Sequence, residues 1–111
     1  MAKNRIKPER IIAEYASELR KKINISKIIL FGSVARGNMT KDSDLDLIVL
    51  SNSFKKMSFI KRLQLLSHAR VGSARKIAMD ILGYTPLEAK RLVRSSSMLK
   101  EAFEQGKLVW W

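Results

Sequence analysis

Hydrophobic residues recur at helical spacing in two stretches of the chain. One begins at Pro8 and runs to about residue 24, and proline is a favourable first residue of a helix. The other runs from Ser58 to Arg70. Both patterns predict amphipathic helices, the second packed on a sheet. The predicted core positions are Ile11, Ile12, Tyr15, Ala16 and Leu19 in the first helix, and Phe59, Leu63, Leu66 and Ala69 in the second.

Three short apolar runs predict β-strands. Lys27 to Phe31 and Leu45 to Leu50 are nearly continuous, as expected of buried strands. Lys76 to Leu82 alternates between two faces, which places Asp80 mid-strand among apolar residues. The segment from Val34 to Ser43 has room for one helical turn and a loop.

The C-terminal third predicts two more helices. Thr85-Pro86-Leu87-Glu88 matches a capping box, so a helix should begin at Pro86 and run to about Arg94. A last helix from Met98 to Gln105 should end at Gly106, before a candidate terminal strand. The predicted order is α-β-β-α-β-α-α with this added strand. We therefore expect an α+β or mixed α/β fold with a single domain over residues 1–111.

Composition narrows the function classes. The 111 residues include 22 Lys+Arg against 10 Asp+Glu, and the net charge of +12 predicts attraction to nucleic acid, nucleotide or an acidic protein without choosing among them. The absence of cysteine excludes disulfides, thiolate zinc sites and thiol nucleophiles. No apolar run approaches the roughly 20 residues of a membrane span, and the basic N-terminus does not resemble a signal peptide, so a cytoplasmic location is expected. The single histidine, His68, is predicted to be a surface or structural residue.

Three of the four aspartates lie within five residues, at positions 42, 44 and 46. Asp44 and Asp46 are two apart on a predicted strand, so their side chains should share a face. Adjacent carboxylates repel, and a hard divalent ion such as Mg²⁺ would relieve that repulsion. If the strand of Asp80 lies alongside, three carboxylates converge, and two Mg²⁺ ions could hold a nucleoside triphosphate. Two alternatives to a metal site stay open. The aspartates at the strand end could cap a turn, as expected of Asp42, and Asp80 could form a salt bridge with a lysine or arginine.

Gly32 and Ser33 follow the first strand directly. A glycine there allows close backbone approach, and the serine supplies a hydroxyl and an N–H group, all suited to phosphate oxygens. Two competing motifs fail. Asn38 replaces the lysine of a P-loop, while Leu47 and Ser53 replace the glycine and glutamate of an EF-hand.

These residues together resemble a known family. The sequence Gly32-Ser33-Val34-Ala35-Arg36-Gly37, ten residues between Ser33 and Asp44, the run Asp44-Leu45-Asp46-Leu47 and a later strand carboxylate at Asp80 are similar to minimal nucleotidyltransferases of the DNA polymerase beta superfamily. The similarity extends from about Lys27 to Trp110. It includes Tyr84-Thr85-Pro86-Leu87-Glu88 and Gly106-Lys107-Leu108.

The resemblance implies a mixed sheet flanked by helices and an enzyme that uses ATP and Mg²⁺. It places Gly32 and Ser33 at the nucleotide phosphates, and it makes Asp44, Asp46 and Asp80 the metal-binding catalytic carboxylates. Arg36 would contact a phosphate or form an ion pair with Asp42 or Asp44. Members of this group are commonly antitoxins paired with a HEPN-domain ribonuclease toxin, and some transfer AMP to a tyrosine of that toxin.

The sequence leaves other functions open. The chain could inhibit a toxin by contact alone, or transfer a nucleotide to RNA or to a small-molecule hydroxyl. It could also form a homo-oligomer, and Trp110 and Trp111 could pack on the core or in an interface. Met79 stands where the family more often has a small β-branched residue, and the basic segment before it also departs from the usual pattern. Both departures concern the identity of the partner more than the chemistry.

Overall fold

A computed structural model describes residues 7–37, 40 and 42–110, apart from the side chain of Trp110. Its centre is a four-stranded mixed sheet in the order β3-β2-β1-β4. Strand β1 is antiparallel to both β2 and β4, whereas β2 and β3 are parallel. The strands are β1 (Lys27–Phe31), β2 (Leu45–Leu50), β3 (Met79–Tyr84) and β4 (Lys107–Trp110). The predicted mixed α/β fold, including the terminal strand, is confirmed.

Helices cover both faces of this sheet. They are α1 (Pro8–Leu19), α2 (Gly32–Ala35), α3 (Phe59–His68), α4 (Pro86–Leu92) and α5 (Ser97–Gln105), with 3-10 turns at Asn52–Lys56 and Gly72–Arg75. The core on one face joins α1 and α3 to Leu45, Leu47 and Val49 of β2. The core on the other face joins α4 and α5 to Ile48 and Leu50. Strand β2 is therefore buried on both sides along most of its length, as its continuous apolar run predicts.

Side-chain caps fix where three helices begin. Ser58 accepts a hydrogen bond from Lys61 N, and Ser96 accepts one from Leu99 N. At α4, Thr85 and Glu88 form the predicted capping box, in which each side chain bonds the other residue's backbone N–H. Because α4 starts at the end of β3, this cap sets the direction in which the chain leaves the sheet. Within the described ranges, no helix is long and apolar enough to cross a membrane.

The predicted third strand is wrong in its position. It begins at Met79 rather than Lys76, because residues 72–75 form a 3-10 turn whose Ala74 is buried. Arg70 stabilises this turn by donating to Ala74 O at 3.3 Å and Ile77 O at 2.6 Å. Asp80 is consequently the second residue of the strand and is exposed, not a mid-strand carboxylate in apolar company.

The predicted apolar stripe of α3 is only partly correct. Leu66 is buried, but Phe59 and Leu63 remain 45% and 42% exposed. The buried position between them is Arg62. Its guanidinium donates to three carbonyl oxygens and to both oxygens of Glu88, so α3 is joined to α4 and to the end of β3. The accepting carbonyls are those of Phe54, Met57 and Gly83.

Candidate active site

A glycine turn at the end of β1 forms the first part of the candidate site. Gly32 has φ +76°, a left-handed conformation that disfavours any residue with a side chain. A Cβ atom built at Gly32 would overlap the carboxylate oxygen Oδ2 of Asp46. The glycine thus allows the Asp46 carboxylate to lie against the backbone of the turn. Ser33, the next residue, is exposed at the start of α2.

The strand register brings two carboxylates beside this turn. Phe31 of β1 lies opposite Asp46 of β2, and Asp46 is in register with Asp80 of β3. Residues opposite one another on neighbouring strands present their side chains on the same face. Asp44 directly precedes β2 and, by the alternation of strand side chains, points to that face as well. The glycine turn that ends β1, Asp46 of β2 and Asp80 of β3 therefore form a row along one end of the sheet.

Electrostatics show that the carboxylates are close enough to interact. Burial raises the pKa of Asp46, and the negative charges of Asp80 and Asp44 raise it further. Among the residues that the structure describes, however, no group of three acidic, histidine or cysteine side chains is close enough to hold one metal ion. The two observations agree if the carboxylates share one end of the sheet but their side chains have not converged. The register supports that interpretation, because backbone positions are set by the ladder while aspartate rotamers can change.

Of the two roles expected of Arg36, a phosphate contact or an ion pair, the ion pair is not formed in the part of the chain that the structure describes. Arg36 follows α2, is exposed, and has no salt bridge there to Asp42 or Asp44. Asp42 lies instead in a turn where its N–H group donates to Thr40 Oγ1 at 3.3 Å. The Arg36 guanidinium is thus available to an anionic ligand.

Two cavities flank the row. One, of about 130 Å³, lies between the glycine turn and α5 and includes Gly32, Arg36, Met98, Glu101 and Gln105 in its lining. The other, of about 490 Å³, follows β3 and includes Asp46 and Asp80. Sequence reasoning assigned no site role to α5, because the sequence signals for this helix concerned only where it begins and ends. His68 is exposed and lines neither cavity, which agrees with its predicted surface role.

Comparison with known proteins identifies the family. The profile of the nucleotidyltransferase domain matches residues 10–107. The chain belongs to the nucleotidyltransferase domain family. The resemblance deduced from the sequence is therefore confirmed, and so is the assignment of the chain to a family of enzymes.

Curated relatives of this nucleotidyltransferase domain come from Methanocaldococcus jannaschii. "Putative protein adenylyltransferase MJ0141" is 31% identical over 91 residues, which span 77% of the chain and 86% of that relative. "Putative protein adenylyltransferase MJ0604" is 44% identical over 46 residues, which span 40% of the chain and 46% of that protein. The match to MJ0604 therefore extends over about half of that protein's length.

Solved structures show the same fold. A toxin–antitoxin crystal structure with AMP-PNP superposes with a TM-score of 0.62 at 28% identity, covering 94% of the chain and 73% of its counterpart. A mutant of the toxin–antitoxin MntA-HpeT gives a TM-score of 0.59 at 25% identity over the same shares. A nucleotidyltransferase structure from Sulfolobus solfataricus, at 21% identity and a TM-score of 0.59, supports the fold alone.

Proposed function

We propose that this nucleotidyltransferase domain transfers AMP from ATP to a hydroxyl group of a partner protein. The observation that carries the proposal is the row formed by Gly32, at the end of β1, and by Asp46 and Asp80 on the two adjacent strands. In this reaction the acceptor oxygen bonds to the α-phosphorus, and the bridging bond between the α- and β-phosphates breaks. Pyrophosphate leaves with the bonding electron pair. The hydroxyl proton passes to the Asp80 carboxylate or to water.

The triphosphate is expected at the glycine turn. Gly32 lets the chain approach a phosphate closely, Ser33 offers an exposed hydroxyl, and Arg36 offers a guanidinium with no acidic partner in the described ranges. The approximately 130 Å³ cavity beside Gly32 and Arg36 supports a position for the leaving pyrophosphate at the β1 side of the row.

The carboxylates fit divalent metal ions. All three are hard oxygen donors, and burial together with the negative charges of Asp80 and Asp44 raises the pKa of Asp46, which a bound cation would counter. Asp44, Asp46 and Asp80 would hold two Mg²⁺ ions, which when bound supply charge neutralisation at the phosphates. The MntA-HpeT variant of known structure replaces two aspartates, two residues apart, with glutamate. Asp44 and Asp46 have the same spacing.

The acceptor is proposed from the relatives. Those from Methanocaldococcus jannaschii carry the name of protein adenylyltransferases, and two structural neighbours are toxin–antitoxin proteins. We therefore infer that the chain is an antitoxin that modifies a toxin, and the family resemblance adds that the toxin is of the HEPN type and that the reaction takes place in the cytoplasm. The charge of +12 favours RNA as a second candidate acceptor, because phosphate backbones attract basic surfaces regardless of sequence.

One experiment tests the proposal. The protein is mixed with α-labelled ATP, Mg²⁺ and either the protein encoded beside it or total tRNA, and the labelled product is identified by mass spectrometry. We expect labelling of the folded partner protein and slower transfer at high salt, because an attraction between opposite charges is screened over about 8 Å at physiological ionic strength. Salt-insensitive labelling of tRNA alone would exclude the antitoxin proposal. Partner inhibition that persists without labelling would favour an antitoxin acting by contact only.

A further inference from the structure

Strand β3 is an edge of the sheet with a defined pattern of backbone hydrogen bonds. The carbonyls of Ala78 and Tyr84 accept bonds from Leu45 N at 2.9 Å and Ser51 N at 3.0 Å, on the β2 side. Backbone groups alternate in direction along a strand. Met79 and Ile81 therefore direct their N–H and C=O groups away from β2, toward the open edge.

Two arginines close this edge at its ends. Arg62 Nη1 donates to Gly83 O at 3.2 Å, and Arg70 Nη2 donates to Ile77 O at 2.6 Å. The outward-facing carbonyls on either side of the open stretch are thus already bonded. Within the residues that the structure describes, no partner bonds the outward groups of Met79 and Ile81, which leaves a short open edge with Asp80 at its centre.

A groove accompanies the open edge. The approximately 490 Å³ cavity has Leu63 and Leu66 of α3 on one side and Met98 of α5 on the other. Asp46 and Asp80 also line it. Leu63 and Met98 are 42% and 48% exposed, so the walls present apolar surface that no described residue covers.

We propose that the acceptor binds as an extended segment that pairs with Met79 and Ile81 and directs its hydroxyl side chain into this groove. The inference rests on the proposed function. If pyrophosphate leaves toward Gly32 and Arg36, the attacking oxygen must approach from the opposite side of the α-phosphorus. In the row of Gly32, Asp46 and Asp80, the opposite side is the β3 edge.

A tyrosine acceptor, which the family resemblance already implies, fits the same geometry. An added strand would lie about 4.8 Å from β3, on the side of β3 opposite to β2. Asp46 lies on β2, so β3 would separate it from the added strand. A tyrosine hydroxyl reaches across that distance better than a serine hydroxyl, and its ring would contact the apolar walls at Leu63 and Met98. A second copy of this chain is a poor occupant, because two chains of charge +12 repel each other. The bound segment should therefore be neutral or acidic.

The test compares Met79→Pro with Met79→Ala. Proline removes the outward N–H group but none of the bonds to β2, and the first residue of an edge strand tolerates it. Alanine trims the side chain and keeps the N–H group.

The probes are random nine-residue peptides with a central tyrosine, or a matched set with a central serine, supplied with α-labelled ATP and Mg²⁺. We expect the tyrosine set to be labelled at least tenfold faster than the serine set. We expect Met79→Pro to lose at least tenfold in kcat/KM for the peptides, Met79→Ala to lose at most threefold, and both to keep the wild-type KM for ATP.

Equal transfer by the two variants would overturn the inference, even if a folded partner protein is still labelled and the proposed function stands. If Met79→Pro also weakens ATP binding, amide hydrogen exchange of the wild-type protein decides. Slower exchange at Met79 and Ile81 on addition of the tyrosine peptides supports edge pairing, and unchanged exchange overturns it. If the peptides are neither labelled nor bound, edge pairing is wrong, whereas failure to label any folded protein or RNA contradicts the proposed function itself.

Discussion

The contact between Gly32 and Asp46 gives the sharpest test of the candidate site. In Gly32→Ala, a left-handed alanine costs roughly 1–2 kcal/mol of backbone strain. The new methyl group also overlaps the Asp46 carboxylate, so that side chain must move. Gly37 provides the matched control, since it too has positive φ, at +90°, but a Cβ there meets no atom of the described residues within 4 Å. Gly37→Ala should therefore show the strain alone.

We expect Gly37→Ala to lower the free energy of unfolding by about 1 kcal/mol, measured by urea titration, and to retain most nucleotidyl transfer. Gly32→Ala should lose about 1 kcal/mol more and reduce transfer at least a hundredfold, because Asp46 no longer lies against the turn. In an Asp46→Ala background the extra stability loss should disappear, since the overlapping carboxylate is gone. Equal stability and equal transfer for the two glycine variants would refute the argument that Gly32 accommodates Asp46.

Three further substitutions test separate parts of the molecule. Asp46→Asn should reduce transfer by several orders of magnitude yet raise the free energy of unfolding at pH 7. Because the folded-state pKa of Asp46 is raised, this gain in stability should shrink as the pH falls and the wild-type carboxyl is protonated. An equal gain at pH 3 and pH 7 would contradict the assignment. Ser33→Ala should weaken ATP binding by about 1–2 kcal/mol in calorimetric titration, and unchanged affinity would place the phosphates elsewhere. Arg62→Met should lower the free energy of unfolding by about 3–5 kcal/mol, measured by urea denaturation. Glu88→Gln should lower it less, because the Glu88 side chain is 39% exposed. Similar losses in the two variants would show that the bonds from Arg62 to backbone carbonyls contribute little to stability.

The sequence predicted the elements whose signals are local. Strands β1 and β2 lie where continuous apolar runs placed them, and α4 begins at Pro86 because its capping box needs only four residues. Strand β3 was misplaced because the 3-10 turn before it depends on Arg70, whose bonds to backbone carbonyls leave no periodic signal. The same reason explains Arg62, which was assigned no place in the core, since its partner Glu88 lies 26 residues away.

The candidate site divides in the same way. Gly32 and Asp46 could be selected from sequence because turn, strand spacing and residue chemistry restrict them locally, whereas the position of Asp80 beside them depended on which strands pair. The groove walls at Leu63 and Met98 could not, since they depend on how α3 and α5 pack across the sheet. The catalytic roles of the selected residues remain predictions, which the substitutions above address.

The buried guanidinium of Arg62 also restricts how this domain can diverge. Its five hydrogen bonds end on Glu88 and on three backbone carbonyls, two from the 3-10 turn and its C-terminal cap at residues 52–57 and one from β3. A shorter or neutral side chain at position 62 would leave several of these acceptors unpaired at once. No single substitution there therefore keeps the hydrogen-bond network intact. In homologues, positions 62 and 88 should therefore change together or not at all. The contact between α3 and α4, which carry these two residues, would then be conserved, while the open edge beside Asp80 could still change to fit a new acceptor.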